Sequence, residues 1–158
     1  MQTIPNEMIL ASAGSGKTWQ LTNRYIGLMA MQLRAGEPVS PERIVAVTFT
    51  RKAAGEFFDS ILEKLAKAAS EPDEGKNLAS DGEDPLSAIL GELSCEEYQQ
   101  LLRIFIRKMP MLFLGTLDSF FSNILRAFPA EFGLSGDFEI IDHHMSQVLR
   151  DDVYRDVF

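Results

Sequence analysis

The segment ASAGSGKT, residues 11–18, constrains the fold of this chain more than any other stretch. A short apolar run, residues 7–10, precedes it and suits a buried strand. From Lys17 to about Gly36 the pattern predicts an amphipathic helix, with one apolar face made of Leu21, Tyr25, Leu28 and Met29. Small residues and glycines let several backbone N–H groups point at one anion. The sequence therefore predicts a strand, a phosphate-binding loop and a helix, in that order.

The residues of this loop have the chemistry that a nucleoside triphosphate needs. The N-terminus of the helix favours an anion, the Lys17 ammonium can reach the outer phosphates, and the Thr18 hydroxyl is a ligand for Mg²⁺. Ala11 stands where the strict pattern has glycine, and alanine suffices if that position needs no positive φ. A glycine-rich turn without a ligand is the alternative. The predicted phosphate contacts are Ala11, Ser12, Ala13, Gly14, Ser15, Gly16, Lys17 and Thr18.

A second strand and helix follow the first pair. Residues 43–49, RIVAVTF, are β-branched and apolar, which is typical of a buried strand parallel to the first. Residues 51–69 then have a helical pattern with an apolar face made of Phe57, Ile61, Leu62 and Leu65. Two consecutive strand–helix units predict an α/β fold with a parallel sheet.

The second half of the chain begins with an acidic segment. Residues 70–85, SEPDEGKNLASDGEDP, are rich in acids, glycine, proline and serine, and predict an exposed, mobile loop. Ser94 and Glu97 predict a capping box for a helix that ends near Pro110. Further strands are predicted at residues 111–117 and 137–141, and further helices at residues 118–128 and from Asp142 onwards.

Charge and cysteine content exclude few functions. The net charge is −8, but residues 71–85 hold six acids and one lysine, so the rest of the chain carries only −3. The overall acidity therefore does not argue against a local contact with nucleic acid. Cys95 is the only cysteine, which excludes an internal disulfide. Without a run of ~18 apolar residues or a recognisable signal peptide, we expect a cytoplasmic protein with no membrane partner.

Hydrolysis of a nucleotide also needs carboxylates that hold Mg²⁺ and orient water. Asp73 and Glu74 lie in the acidic segment, where solvated surface charge is the simpler interpretation. Asp142, after an apolar run, is the other candidate, although His143 follows it. Asp142, His143 and His144 would make a poor metal site, because adjacent histidines on a helix point in different directions. The residues alone leave the hydrolytic groups unassigned.

Four segments in a fixed order carry a family resemblance: ASAGSGKT, VAVTFTRKAAGEF, GTLDSFFSNILRAFPAEFG and FEIID. They resemble the N-terminal motifs of UvrD/RecB-type superfamily I DNA helicases, and the first is similar to the RecB/AddA-like branch. Alanine often begins the phosphate loop in that family, as Ala11 does here. The resemblance implies a partial RecA-like P-loop NTPase domain with a parallel sheet, plus the start of a helical insertion.

The resemblance also implies a division of the chain and a set of site residues. Residues 1–69 would be the first part of the RecA-like ATP-binding domain, 70–85 an acidic flexible loop, and 86–158 the remaining elements with the third motif. Lys17 and Thr18 would be catalytic, on the phosphates and on Mg²⁺. The DNA contacts would be Phe49, Thr50, Arg51, Lys52, Thr116 and Ser119.

Two positions depart from the family pattern. Arg51 stands where many relatives have asparagine, which keeps a phosphate contact but changes its geometry. Asp118 stands where relatives often have histidine, and an aspartate repels phosphate, so capping of the following helix is its simpler role. Without the family, the two DNA motifs would be interpreted as a buried strand and a capped amphipathic helix.

The resemblance implies the N-terminal ATP-binding portion of an ATP-dependent DNA helicase or helicase-nuclease that acts on single-stranded DNA in repair or recombination. ATP and Mg²⁺ would be its cofactors, and its partners would be the second motor domain and a nuclease domain or subunit. The later motifs are absent, so this chain alone is expected to bind nucleotide without rapid hydrolysis. Two alternatives remain open: a complete small P-loop kinase or NTPase that uses Asp142, and a non-enzymatic DNA-binding module.

Overall fold

The computed structural model describes residues 6, 8, 16–79, 85–141 and 143–157. Of the predicted first strand, residues 7–10, the structure describes only Met8, which is 84% exposed and not in a strand, whereas the loop residues 11–15 and Asp142 lie outside the described residues. Two compact units divide the chain, Met1–Thr116 and Leu117–Phe158. No helix in the part of the chain that the structure describes is long and apolar enough to span a membrane.

The first unit is mostly helical and contains a small sheet. Its helices are α1 (Lys17–Arg34), α2 (Arg51–Ser70), α3 (Glu74–Leu78), α4 (Pro85–Glu92) and α5 (Cys95–Lys108). Its strands are β1 (Val45–Thr48) and β2 (Phe113–Thr116), and short 3-10 turns precede them at Pro41–Arg43 and Met109–Met111. The helices predicted to start at Lys17 and Arg51 are confirmed, and so is the position of the strand predicted near residues 43–49, but this strand is partly exposed and not buried as predicted.

β1 and β2 form a parallel pair. Val45 pairs with Phe113, and Thr48 pairs with Thr116, so the carboxyl ends of the two strands lie at one edge. Helix α2 packs against both strands, whereas Val45 and Val47 are exposed by 51% and 44%. The parallel pair with helices against it is consistent with the predicted α/β fold.

Helices α1, α2 and α5 supply most of the buried core. Tyr25 is its aromatic centre, because its ring contacts Phe57 and Phe105 edge-on, with centroids 6.1 and 6.2 Å away. The predicted faces of α2 and α5 are confirmed, with Phe57, Ile61, Leu65, Tyr98, Leu101 and Phe105 buried. On α1, Tyr25 and Met29 are buried, but Leu21 is 49% exposed.

Helix packing depends on one close approach and one cap. Gly27 on α1 faces Leu86 on α4 so closely that a Cβ at Gly27 would lie 2.8 Å from the Leu86 Cβ. At the start of α5 the predicted capping box is confirmed: the Ser94 Oγ accepts from the Glu97 N–H at 3.3 Å, and the Ser94 N–H donates to Glu97 at 2.8 Å. Glu97 also pairs with Arg34 at 3.3 Å, which joins α5 to α1.

The structure corrects two predictions in the remaining segments. The acidic segment 70–85 is not wholly loop, because it contains α3 and the first residue of α4, and Leu78 is only 5% exposed. Burial of this leucine in the core stabilises a short helix, although the acidic composition of the segment predicts a loop. The predicted strand at 137–141 has no strand geometry, and Ile140 and Ile141 are about half exposed.

The second unit contains two helices among its described residues. They are α6 (Leu117–Ala127) and α7 (His143–Val157), and a 3-10 turn at Pro129–Phe132 follows α6. Both helices confirm the predictions at residues 118–128 and after Asp142.

Candidate functional site

Helix α1 begins with the part of the phosphate loop that the structure describes. Gly16 is its N-cap with φ 77° and ψ 16°, a left-handed conformation that favours glycine, and it makes no side-chain cap. Lys17 and Thr18 are the first two helical residues, and both are exposed. The early N–H groups of a helix have no intrahelical partner, so this end can accept an anion beside an exposed cation.

Of the eight predicted phosphate contacts, the structure describes Gly16, Lys17 and Thr18. It places these three at the helix N-terminus that the sequence predicted. Residues 11–15 lie outside the described residues, so their predicted contacts stay predictions.

A lysine on α2 contacts α1 immediately after the loop. The Lys64 Nζ donates to the Trp19 carbonyl at 2.9 Å, to the Thr22 Oγ at 2.5 Å and to the Asn23 Oδ1 at 2.6 Å. It also lies 4.7 Å from the centroid of the Trp19 ring, a cation–π distance. Burial lowers the pKa of Lys64 from 10.5 to about 8.

The sequence interpretation missed Lys64, although a signal for it exists. Lys64 stands seven residues after Phe57 and three after Ile61, which places it on the apolar face of α2. A lysine at such a position must bring its ammonium to polar partners, because an unpaired buried charge is costly.

The second predicted motif connects β1 to α2. Phe49 directly follows β1 and is 91% exposed. The Thr50 Oγ accepts from the Ala53 N–H at 3.1 Å, so this hydroxyl caps α2, and Thr48 donates to the Thr50 carbonyl at 2.9 Å. The short turn therefore holds Phe49 outwards between two ordered threonines.

Arg51 and Lys52 form the exposed first turn of α2, and no acidic residue accompanies them there. Cations at a helix N-terminus oppose the helix dipole, so their placement does not favour the helix itself. Lys52 has one carboxylate neighbour on the helix, Glu56, at 3.7 Å in a solvent-exposed pair. The turn thus presents an exposed ring and two cations, which suit a base and phosphates.

The third predicted motif begins where β2 ends. Thr116 is only 9% exposed and pairs with Thr48 in the parallel register, which favours a structural role for its side chain. The Thr48 Oγ, whose proton is closer to the Thr50 carbonyl, also lies 3.4 Å from the Gly115 carbonyl oxygen, so the turn after β1 is next to the end of β2. Asp118 and Ser119 are exposed in the first turn of α6, in the second unit.

The described residues contain no cluster of three or more His, Cys, Asp or Glu side chains that could hold a metal ion. Asp73 is exposed and pairs with Lys76 at 2.9 Å, as expected for a solvated surface charge. Asp142 lies outside the described residues. Cys95 is a free thiol at the start of α5.

Known proteins match nearly the whole chain. The family model of the UvrD/REP helicase N-terminal domain matches residues 4–157. An ATP-dependent helicase/nuclease subunit of Desulforamulus reducens is 30% identical over 156 residues, which cover 97% of this chain and 10% of that protein. The protein of the same description from Streptococcus agalactiae serotype Ia is 32% identical over 154 residues, with the same two coverages.

A second kind of relative is similar over a shorter part. DNA helicase II of Haemophilus influenzae is 34% identical over 137 residues, which cover 87% of this chain and 13% of that protein. The chain therefore spans about a tenth of the length of these relatives. No solved structure matches the chain.

Proposed function

Because the chain belongs to the UvrD/REP helicase N-terminal domain family, we propose that it is the N-terminal ATP-binding portion of an ATP-dependent DNA helicase acting on single-stranded DNA in repair or recombination. The observation that carries this proposal is the start of α1, where Gly16, Lys17 and Thr18 form an exposed helix N-terminus inside the matched region. The corresponding fold is the first part of a RecA-like P-loop domain at residues 1–69, followed by an acidic connecting segment at 70–85. Residues 86–158 would be the remaining helices and strands with the third motif and the start of a helical insertion.

The described end of the loop fits a nucleoside triphosphate with Mg²⁺. Gly16 is the left-handed N-cap of α1, and a glycine has no side chain with which to cap the helix, so an anion would take that role. The Lys17 ammonium would bind the outer phosphates, the Thr18 hydroxyl would be a ligand for Mg²⁺, and residues 11–15 would contribute backbone N–H groups. Bound ATP supplies a phosphoanhydride bond whose hydrolysis drives translocation in such motors.

The turn after β1 fits single-stranded DNA. Phe49 would stack on a base, and Arg51 and Lys52 would bind the adjacent phosphates. Ser119 on α6 is a further candidate contact. Thr116 is buried, so its side chain would instead order the end of β2. In this proposal Thr50 acts mainly by capping α2.

Catalysis needs groups beyond this chain. Carboxylates for Mg²⁺ and water, and arginines for the charge of the transferred phosphoryl group, would come from the later motifs and the second motor domain. Because two of the relatives are described as parts of a helicase/nuclease, a nuclease domain or a nuclease subunit is a further candidate partner. This chain alone would therefore bind Mg-nucleotide and turn it over slowly.

Fluorescence of Trp19, the only tryptophan, tests this proposal, because Trp19 directly follows Thr18. Energy transfer from Trp19 to the fluorescent nucleotide mant-ADP should appear on binding with Mg²⁺ and should be lost in Lys17→Ala. Single-turnover hydrolysis of ATP should stay slow with and without single-stranded DNA. Rapid DNA-stimulated turnover that needs Lys17 would overturn the fragment assignment, and Lys17-independent binding would overturn the nucleotide site.

A further inference from the structure

Lys64 joins two helices whose first residues belong to the two proposed binding sites. Helix α1 begins at Lys17 in the nucleotide loop, and α2 begins at Arg51 in the DNA turn. Lys64 is thirteen residues into α2, about 20 Å along its axis at 1.5 Å per residue. Its side chain crosses to α1 at Trp19, Thr22 and Asn23, which are in the first two turns of that helix.

The contact is specific in its hydrogen-bond geometry. An ammonium has three donors, and Lys64 meets three acceptors, each at 2.9 Å or less. These acceptors are a carbonyl, a hydroxyl and an amide oxygen, so the polar contacts of Lys64 among the described residues are to uncharged groups. These three hydrogen bonds are directional, so they restrict the rotation and axial position of α2 against α1, whereas apolar contacts are non-directional.

Two further hydrogen bonds extend this contact. The single hydroxyl proton of Thr22 has two acceptors within reach, the Trp19 carbonyl at 2.8 Å and the Thr18 carbonyl at 2.9 Å, so the contact continues into the first turn of α1. The Asn23 Nδ2 donates to the Leu78 carbonyl at 2.9 Å, at the end of α3. Lys64 thus lies at the centre of a network that includes the start of α1, the middle of α2 and the end of α3.

We propose that Lys64 is a positioning residue that couples the DNA turn at the start of α2 to the nucleotide loop at the start of α1. This inference rests on the proposed function, since it assigns no new ligand. A shift of α2 caused by DNA at Phe49 and Arg51 would move Lys64, and Lys64 would move the first two turns of α1. The same network transmits the effect of nucleotide to the DNA turn, because coupling between two binding sites is reciprocal.

The test compares nucleotide affinity with and without DNA. The dissociation constant of mant-ADP with Mg²⁺ is measured for the whole chain, alone and with a saturating oligo(dT) strand of about 20 nucleotides. Lys64→Met removes the ammonium and keeps an unbranched apolar stem. Lys67→Met is the matched control, because Lys67 lies about one turn later on α2 and is an exposed lysine paired with Glu63 at 2.8 Å.

We expect DNA to change the dissociation constant about fivefold or more in the wild type and in Lys67→Met. In Lys64→Met the ratio of the dissociation constants of mant-ADP without and with DNA should fall to near one. Lys64→Arg, which keeps a cation and several donors, should restore part of the effect of DNA. A ratio near one in the wild type, or an undiminished ratio in Lys64→Met, overturns the proposal. If Lys64→Met lowers the thermal stability but leaves this ratio unchanged, Lys64 has only a structural role, and that result also overturns the proposal.

Two further measurements keep the result interpretable. If Lys64→Met does not fold, the coupling is tested on the wild type by the fluorescence of Trp19. Saturating oligo(dT) should change this emission, and unchanged emission overturns the coupling. Failure of the proposed function is seen separately in two ways: Lys17→Ala would bind mant-ADP without DNA as tightly as the wild type, or labelled oligo(dT) would not bind to the wild type.

Discussion

The ammonium of Lys64 lies 4.7 Å from the centroid of the Trp19 ring, in the first turn of the helix that begins with Lys17. Burial lowers the pKa of Lys64 to about 8, so the cation is present below this pH and is lost above it. The side chains that accept hydrogen bonds from Lys64, those of Thr22 and Asn23, do not titrate in this range.

The emission of Trp19 should therefore titrate with a midpoint near pH 8. Protonated Lys64 places a positive charge over the ring at low pH, and its removal at high pH should shift the emission maximum. Fluorescence between pH 6 and pH 10 checks this, with Lys64→Met as the control in which the transition disappears. A transition of equal size in Lys64→Met would assign it to another group.

Two glycines on neighbouring helices should respond oppositely to alanine. A Cβ at Gly27 would lie 2.8 Å from the Leu86 Cβ and 3.2 Å from the Leu86 carbonyl oxygen, so α4 would have to move. We expect Gly27→Ala to lower the free energy of unfolding by about 1–3 kcal/mol. A Cβ at Gly55 on α2 meets no atom within 4 Å, so Gly55→Ala should raise it by about 0.5–1 kcal/mol. Urea denaturation checks both, and stabilisation by Gly27→Ala would contradict the close packing of α1 on α4.

Thr50 should contribute to stability more than to DNA binding. Its hydroxyl caps α2 by accepting from the Ala53 N–H at 3.1 Å. Thr50→Ala should lower the free energy of unfolding by about 1 kcal/mol, whereas Thr50→Ser keeps the acceptor and most of the stability. Thermal unfolding compares the two variants. Equal stability of the alanine and serine variants would show that the cap contributes nothing.

Local patterns in the sequence predicted α1, α2, α5, α6 and α7 because their causes are local, whereas α3 and α4 were not predicted. The capping box of Ser94 with Glu97 and the apolar periodicity around Phe57 and Ile61 needed no tertiary information. Burial of Leu78 is different, because its core neighbours come from distant segments and its own segment is acidic. The contact of Lys64 with three residues of α1 likewise cannot be predicted from the local sequence, because these partners lie more than forty residues earlier in the chain.

The strand prediction at 137–141 failed for a related reason. An apolar run indicates a strand only if another strand pairs with it, and none does so among the described residues. At the candidate site, the positions of Lys17 and Thr18 followed from the loop pattern. The burial of Thr116 did not, because it depends on the pairing of β2 with β1.

Phe49 offers the sharpest separation of DNA binding from folding. It is 91% exposed, so Phe49→Ala should change the free energy of unfolding by less than about 0.5 kcal/mol. Loss of one stacked base should weaken binding of single-stranded DNA by about 1–3 kcal/mol, roughly five- to 150-fold. Fluorescence anisotropy of a labelled oligo(dT) strand at fixed salt measures this, with the exposed Phe132 as the control position for Phe132→Ala. Equal affinities of the wild type and Phe49→Ala would remove the stacking contact from the proposed site, because the exposed ring has no packing role that could conceal its loss.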